Sequence, residues 1–100
     1  MTITGPLARA ARALTQYPRA LIAEAAGLDE AMLQGFETGE ARLDDEALRR
    51  LEKALESVGA LFLPEDEVGG VGVRLKFSAR DVRAINWLEG EGGAYGSDDV

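Results

Sequence analysis

Few kinds of side chain here can do chemistry. The 100 residues include no histidine and no cysteine, which removes the commonest general base, the thiol nucleophile and the usual nitrogen and sulfur metal ligands. Acid–base work would fall to carboxylates, lysine or tyrosine. Glu65, Asp66 and Glu67 stand together before Gly69 and Gly70, yet three adjacent acids lack the interleaved spacing of a calcium loop. They read as a solvated loop, so no metal, no cofactor and no enzymatic activity are expected. Trp87 could stack on a ligand, but an aromatic at that position reads more simply as packing on a core or a partner.

The cationic and amide side chains carry more information. Within Arg19 to Leu43, RALIAEAAGLDEAMLQGFETGEARL, Arg19, Gln34, Thr38 and Arg42 are groups of the kind that contact a nucleic acid. Arginine and hydroxyl groups reach backbone phosphates, and an amide can read an adenine edge. The formal charge of −7 opposes binding of a polyanion. It is unevenly spread: residues 89–100 contribute Glu89, Glu91, Asp98 and Asp99 and no basic group, leaving 11 basic and 14 acidic side chains in residues 1–88.

These groups need elements to position them. Thr4 to about Gln16 reads as a helix capped by Thr4, with Pro6 in its first turn and a stripe of Leu7, Ala10, Ala11 and Leu14. Pro18 ends it and opens a second helix buried through Leu21, Ile22, Ala25 and Ala26. Gly27 breaks that helix. A third, capped by Asp29, runs to about Thr38 with Met32, Leu33 and Phe36 inward and Gly39 closing it. Asp44 caps a fourth helix, which is buried through Ala47, Leu48, Leu51, Ala54, Leu55 and Val58 and ends at Gly59.

The apolar period then falls to about 2, and Ala60–Leu63 and Val71–Phe77 predict a hairpin. Val71, Val73, Leu75 and Phe77 share one face, with Arg74 and Lys76 on the other. An isolated pair of strands needs a partner surface, so this face is expected to dimerise. Ser78 and Asp81 form a capping box for a last helix, 78–88, in which Val82, Ile85 and Leu88 align as a second dimer face. Residues 89–100 have the composition of a disordered acidic tail. The expected class is therefore mainly α: a four-helix helix-turn-helix domain over residues 1–59, a β-hairpin over 60–77 and a short C-terminal helix. No run of apolar residues is long enough to span a bilayer and no secretory signal is present. The chain reads as cytoplasmic, without a membrane partner.

Two short helices joined at Ala26-Gly27-Leu28 describe a helix-turn-helix. More specific is the ordered set Ala23, Ala26, Gly27, Leu28, Leu33, Phe36, Glu37 and Gly39. The stretch AEAAGLDEAMLQGFETG resembles the pattern AxxAGVSxxTIxxxExG of the Cro/phage-repressor, or XRE, helix-turn-helix family. The likeness covers residues 3 to about 77. The opening ITGPLARAARAL and the ending LFLP…GVGVRLK look like a small bacterial subgroup in which a C-terminal hairpin replaces one helix of the bundle. The resemblance implies a dimeric transcriptional regulator bound to double-stranded DNA. On it, Glu30, Ala31 and Met32 map to base-reading positions with Gly35 one turn on, while Arg19 and Arg42 map to phosphate contacts.

Several of those positions are chemically poor readers. Glu30 can only accept from a cytosine amino group, Ala31 and Met32 can touch a thymine methyl, and Gly35 offers nothing. Asp29 and Glu30 also repel the phosphate that a helix start otherwise attracts. A second function class therefore stands beside the first: a protein-interaction module without autonomous DNA binding, such as the acidic subunit of a heterodimer. Arg9, Arg12, Arg49 and Arg50 read with Lys53 as helix-surface charges pairing with acids such as Glu46 and Glu56.

Overall fold

The computed structural model describes residues 2–77. Four helices, α1 (Gly5–Thr15), α2 (Arg19–Ala26), α3 (Glu30–Thr38) and α4 (Asp45–Ser57), precede strands β1 (Ala60–Leu63) and β2 (Gly72–Leu75). The expected helix 78–88, its Val82, Ile85 and Leu88, Trp87 and the acidic tail lie outside the described residues.

Local chemistry sets the helix ends. The Thr4 hydroxyl accepts from the Leu7 amide at 3.3 Å, and the Asp44 carboxylate accepts from Ala47 at 2.8 Å, each satisfying one of the donors a helix start leaves open. Asp29 differs from expectation. It occupies the N-cap position of α3 without a side-chain cap bond. Gly27 adopts φ 70°, the left-handed conformation that glycine reaches without a Cβ penalty. This lets the Leu28 amide reach back to the Ala23 carbonyl at 2.8 Å, so the chain turns sharply between α2 and α3.

The core joins Ile3, Leu7, Ala8 and Ala11 to Ile22, Ala23, Ala26, Leu33, Leu51, Ala54 and Leu55 beneath Ala60 and Phe62. Two helices sit rotated from the stripes expected of them. On α1 the buried residues are Gly5, Leu7, Ala8, Ala11 and Thr15, and Leu14 is exposed. On α2 they are Ile22, Ala23 and Ala26, while Leu21 and Ala25 face outward. In both helices alanines stand on the expected and the observed faces alike, and the rotation adopted brings Arg12 (i+4 from Ala8) and Arg19 (i−4 from Ala23) to the edge of the core. On α4, Ala47, Leu51, Ala54 and Leu55 are buried as expected, with Leu48 and Val58 partly buried against the cluster.

The α1 N-terminus meets the α3 C-terminus so closely that a methyl group on Gly5 would overlap the Phe36 carbonyl oxygen and crowd the Glu37 carbonyl. Backbone cannot yield as a flexible side chain can. Gly5→Ala is therefore expected to cost about 1–3 kcal/mol, read as a lower urea midpoint with an unchanged slope; an unchanged midpoint would refute this close approach.

The two strands pair antiparallel, with Ala60 opposite Leu75 and Phe62 opposite Val73. Phe62 is buried and Val73 packs on the core cluster. β2 lies on α1, so of the expected dimer face Val73 packs on the molecule's own core and Leu75 is half-buried, while Val71 and Phe77 are exposed. In the connecting loop the Asp66 carboxylate accepts from the Val68 and Gly69 amides at 2.8 and 3.0 Å. That acid is occupied in shaping a turn.

Candidate nucleic-acid interface

α3 divides into two faces. Leu33 and Glu37, four residues apart, are buried, which fixes the rotation of the helix. The opposite side exposes Ala31, Gln34 and Thr38 on one stripe, flanked by Glu30 and Met32. Met32, expected to face inward, is 42% exposed, because the place it would fill is taken by Leu33 with Phe36 packed beside it. Gly35 does not face outward as a groove position would. A methyl group there would press on the Ala41 side chain, and its carbonyl accepts from the Glu40 and Ala41 amides at 2.8 and 3.0 Å. Glycine at this site lets the loop after α3 fold back over the helix.

The sequence leads one to expect the Thr38 hydroxyl to donate to phosphate. Its Oγ1 instead donates to the Gly35 carbonyl at 3.2 Å, leaving it only an acceptor role toward outside groups. Arg42 is exposed in that same loop and has no hydrogen bond or ion pair among the described residues.

The arginines have other roles than the sequence assigns. Arg12 grips Glu37 with a fork, Nε to Oε2 at 2.7 Å and Nη2 to Oε1 at 2.8 Å. Arg19 donates from Nε to Oε1 at 3.2 Å. Arg9 donates from Nη1 to the Glu37 backbone carbonyl at 3.0 Å. Three cations thus converge on one residue, and Arg9 and Arg12 are not the solvated helix charges expected of them. Burial pushes the Glu37 carboxyl up, but the hydrogen bond and charge of Arg12, then those of Arg19, outweigh it and hold it below the usual carboxylate range. The hydrogen bond it donates to Glu37 raises Arg12 in turn, against its burial.

Arg50 also departs from a simple surface charge. It pairs with Glu46 at 3.5 Å, as the i,i+4 spacing predicts, and its Nε donates to the Ala26 carbonyl at 2.8 Å. The last carbonyls of α2 lack intrahelical donors, so this bond ties α4 to the turn that sets α3. Away from this region, burial and then repulsion by Glu56 raise the Glu52 carboxyl above its ordinary value. Glu52 lies in a shallow depression with Thr2, Asp45, Leu48 and Arg49, a set without an oriented nucleophile and base.

Sequence reasoning missed Glu37 as an organising centre. One signal was available: Glu37 lies four residues beyond Leu33, on the same apolar stripe. The fold is a mainly helical bundle with a small antiparallel hairpin, and no helix among the described residues is long and apolar enough to cross a membrane. No protein-family model matches the sequence, and no curated protein matches it either.

Proposed function

We propose that the chain is a DNA-binding transcriptional regulator of the XRE helix-turn-helix type, docking α3 on operator DNA as a dimer. The observation that carries this reading is the division of α3: Leu33 and Glu37 hold one face inward, and Glu30, Ala31, Met32 and Gln34 stand on the outward side of a helix that follows a tight glycine turn. Arg19 at the start of α2 and Arg42 after α3 supply phosphate contacts on either side of it. Gln34 is the best base reader in the set, and Met32 suits a thymine methyl. Thr38 contributes at most an accepting oxygen.

The four acids beyond residue 88 account for most of the opposing charge, so binding is expected to be weak and strongly salt-dependent. Arg42→Ala should weaken binding to all duplex sequences alike and reduce the slope of log affinity against log salt by roughly 1. Mobility shift across a salt series measures both. Absence of any shift at low salt, or an unchanged slope in the variant, would count against the reading. Dimerisation is supported by exposed Val71 and Phe77 at the ends of the hairpin segment; sedimentation of a monomer would remove that part.

A second reading has its own support. Leu21 on α2 and Met32 on α3 are 50% and 42% exposed, and Asp29 and Glu30 repel phosphate at the start of α3. Such a surface suits a protein partner, for example a related basic chain in a heterodimer. Co-purification of a stoichiometric partner with no enriched DNA would favour it.

A further inference from the structure

We infer that the acidic segment 89–100 docks on its own chain, over Arg9, Arg12 and Arg19 at the surface of α1 and α2, and competes there with a nucleic acid. The competition rests on the proposed function; the docking does not. Charge selects the surface. Arg9 donates to the Glu37 backbone carbonyl, and Arg12 and Arg19 share the Glu37 carboxylate. Three guanidinium groups thus meet one acid, and no other acid forms an ion pair with them among the described residues. Two positive charges are left over. Residues 89–100 supply the opposite sign, with Glu89, Glu91, Asp98 and Asp99 and no basic side chain.

Exposed ion pairs contribute little singly, and two conditions raise their contribution here. Glu37 already holds the arginines, so less side-chain entropy is lost when they meet an acid than for arginines without a partner. The acids also belong to the same chain, which brings their local concentration to the order of millimolar.

The place where the described chain ends favours this surface. Gly59 lies beside the end of α1, where a methyl group on it would stand 3.9 Å from the Thr15 side chain. The Lys76 amide donates to the Gly59 carbonyl at 2.7 Å, so Phe77 leaves the fold near the last turn of α1. Arg12 is one turn back along that helix, and its Nη1 turns toward the Tyr17 carbonyl at 3.5 Å, two residues before Arg19. The twelve steps of chain from Phe77 to Glu89 span about 18 Å as a helix and about 40 Å extended. With 11 residues, α1 is about 16 Å long. Either conformation lets the acids reach Arg9 to Arg19. Once there, they occupy the positive charge that backbone phosphates would otherwise meet, which lowers affinity beyond the effect of net charge.

The chain contains no cysteine, so Ser97→Cys gives a unique site for a nitroxide label in the full chain. The labelled chain is diluted into excess chain of natural isotopic abundance, so that only contacts within one molecule are read by nuclear magnetic resonance. At low salt the amides of Arg9 to Arg19 should lose intensity selectively and regain it as salt is raised. Loss spread evenly over the molecule, confined to Arg80 and Arg83, or centred on Arg74 and Lys76 would overturn the docking surface.

A short duplex should restore the Arg9 to Arg19 signals by displacing the acids. Asp98→Asn with Asp99→Asn should tighten duplex binding several-fold, and by more than Glu65→Gln with Glu67→Gln, which removes the same charge from the hairpin loop. Equal gains from the two pairs would reduce the effect to net charge and overturn the competition, as would duplex binding that leaves the intensity loss unchanged. Selective loss at Arg9 to Arg19 with no duplex binding at all would support the docking and remove the proposed function together with the competition.

Discussion

Glu37→Gln is expected to lower the urea midpoint of unfolding by the equivalent of about 3 kcal/mol, a large part of the roughly 5–15 kcal/mol that holds a domain of this size. The substitution keeps the shape of the side chain and removes its charge. Arg12 and Arg19 are then left sharing one acceptor oxygen, with an NH2 donor where the second carboxylate oxygen stood. Breaking a buried pair by removing one partner typically costs about 3–5 kcal/mol. The lower end applies because the arginine side chains retain 19% and 28% exposure and can turn outward. Glu37→Leu combined with Arg12→Met should recover part of the loss, since apolar groups of similar volume need no partner.

The same centre predicts an acid dependence. The folded state holds the Glu37 carboxyl below its ordinary value, so on acidification the unfolded chain takes up that proton first. The stabilisation is fully present above the unfolded carboxylate pKa, about 4.3 for glutamate, and is lost as pH falls through the depressed folded value. Wild type should therefore lose stability below about pH 4.3 more steeply than Glu37→Gln. Parallel slopes would show that Glu37 is not ion-paired in solution.

Leu33→Ala gives the second large effect. Leu33 is wholly buried within the cluster that joins α3 to the other helices, and removing a side chain from such a site costs about 2–5 kcal/mol. The melting temperature should fall by on the order of 10–40 °C, given about 4–8 °C per kcal/mol in a domain this small. Its neighbour supplies the contrast. Met32→Ala should change stability by no more than about 0.5 kcal/mol, because Met32 faces out, yet it should weaken DNA binding if that face enters a groove. Calorimetry on the two variants reads the rotation of α3 directly. A larger loss for Met32→Ala than for Leu33→Ala would mean that the helix is turned the other way.

The helix limits were legible because single residues impose them. Thr4, Pro18, Gly27, Gly39 and Asp44 each close or open a helix by a local bond or a fixed dihedral, which needs no knowledge of the rest of the chain. The hairpin was legible from its period, with paired residues confined to Ala60–Leu63 and Gly72–Leu75. Helix rotation was not. In an alanine-rich helix such as α1 several faces are apolar enough to bury, and the choice among them depends on what packs opposite. Glu37 shows this most clearly. Its partners lie 25 and 18 positions earlier in the chain, and a glutamate on an apolar stripe gains its meaning only when the fold brings Arg12 and Arg19 to it.

Of the contact residues expected from the sequence, Glu30, Ala31, Met32, Gln34 and Arg42 stand on the surface, Thr38 has spent its hydroxyl proton inside the helix, and Arg19 is held by Glu37. Whether that surface meets a duplex is answered most directly by mapping backbone amide shifts of the full chain against short DNA duplexes at low salt. The proposed function predicts perturbations centred on Glu30 to Gln34 and on Arg42, with α4 and β1 quiet. Shifts absent throughout, or confined to the hairpin while α3 stays unmoved, would contradict it.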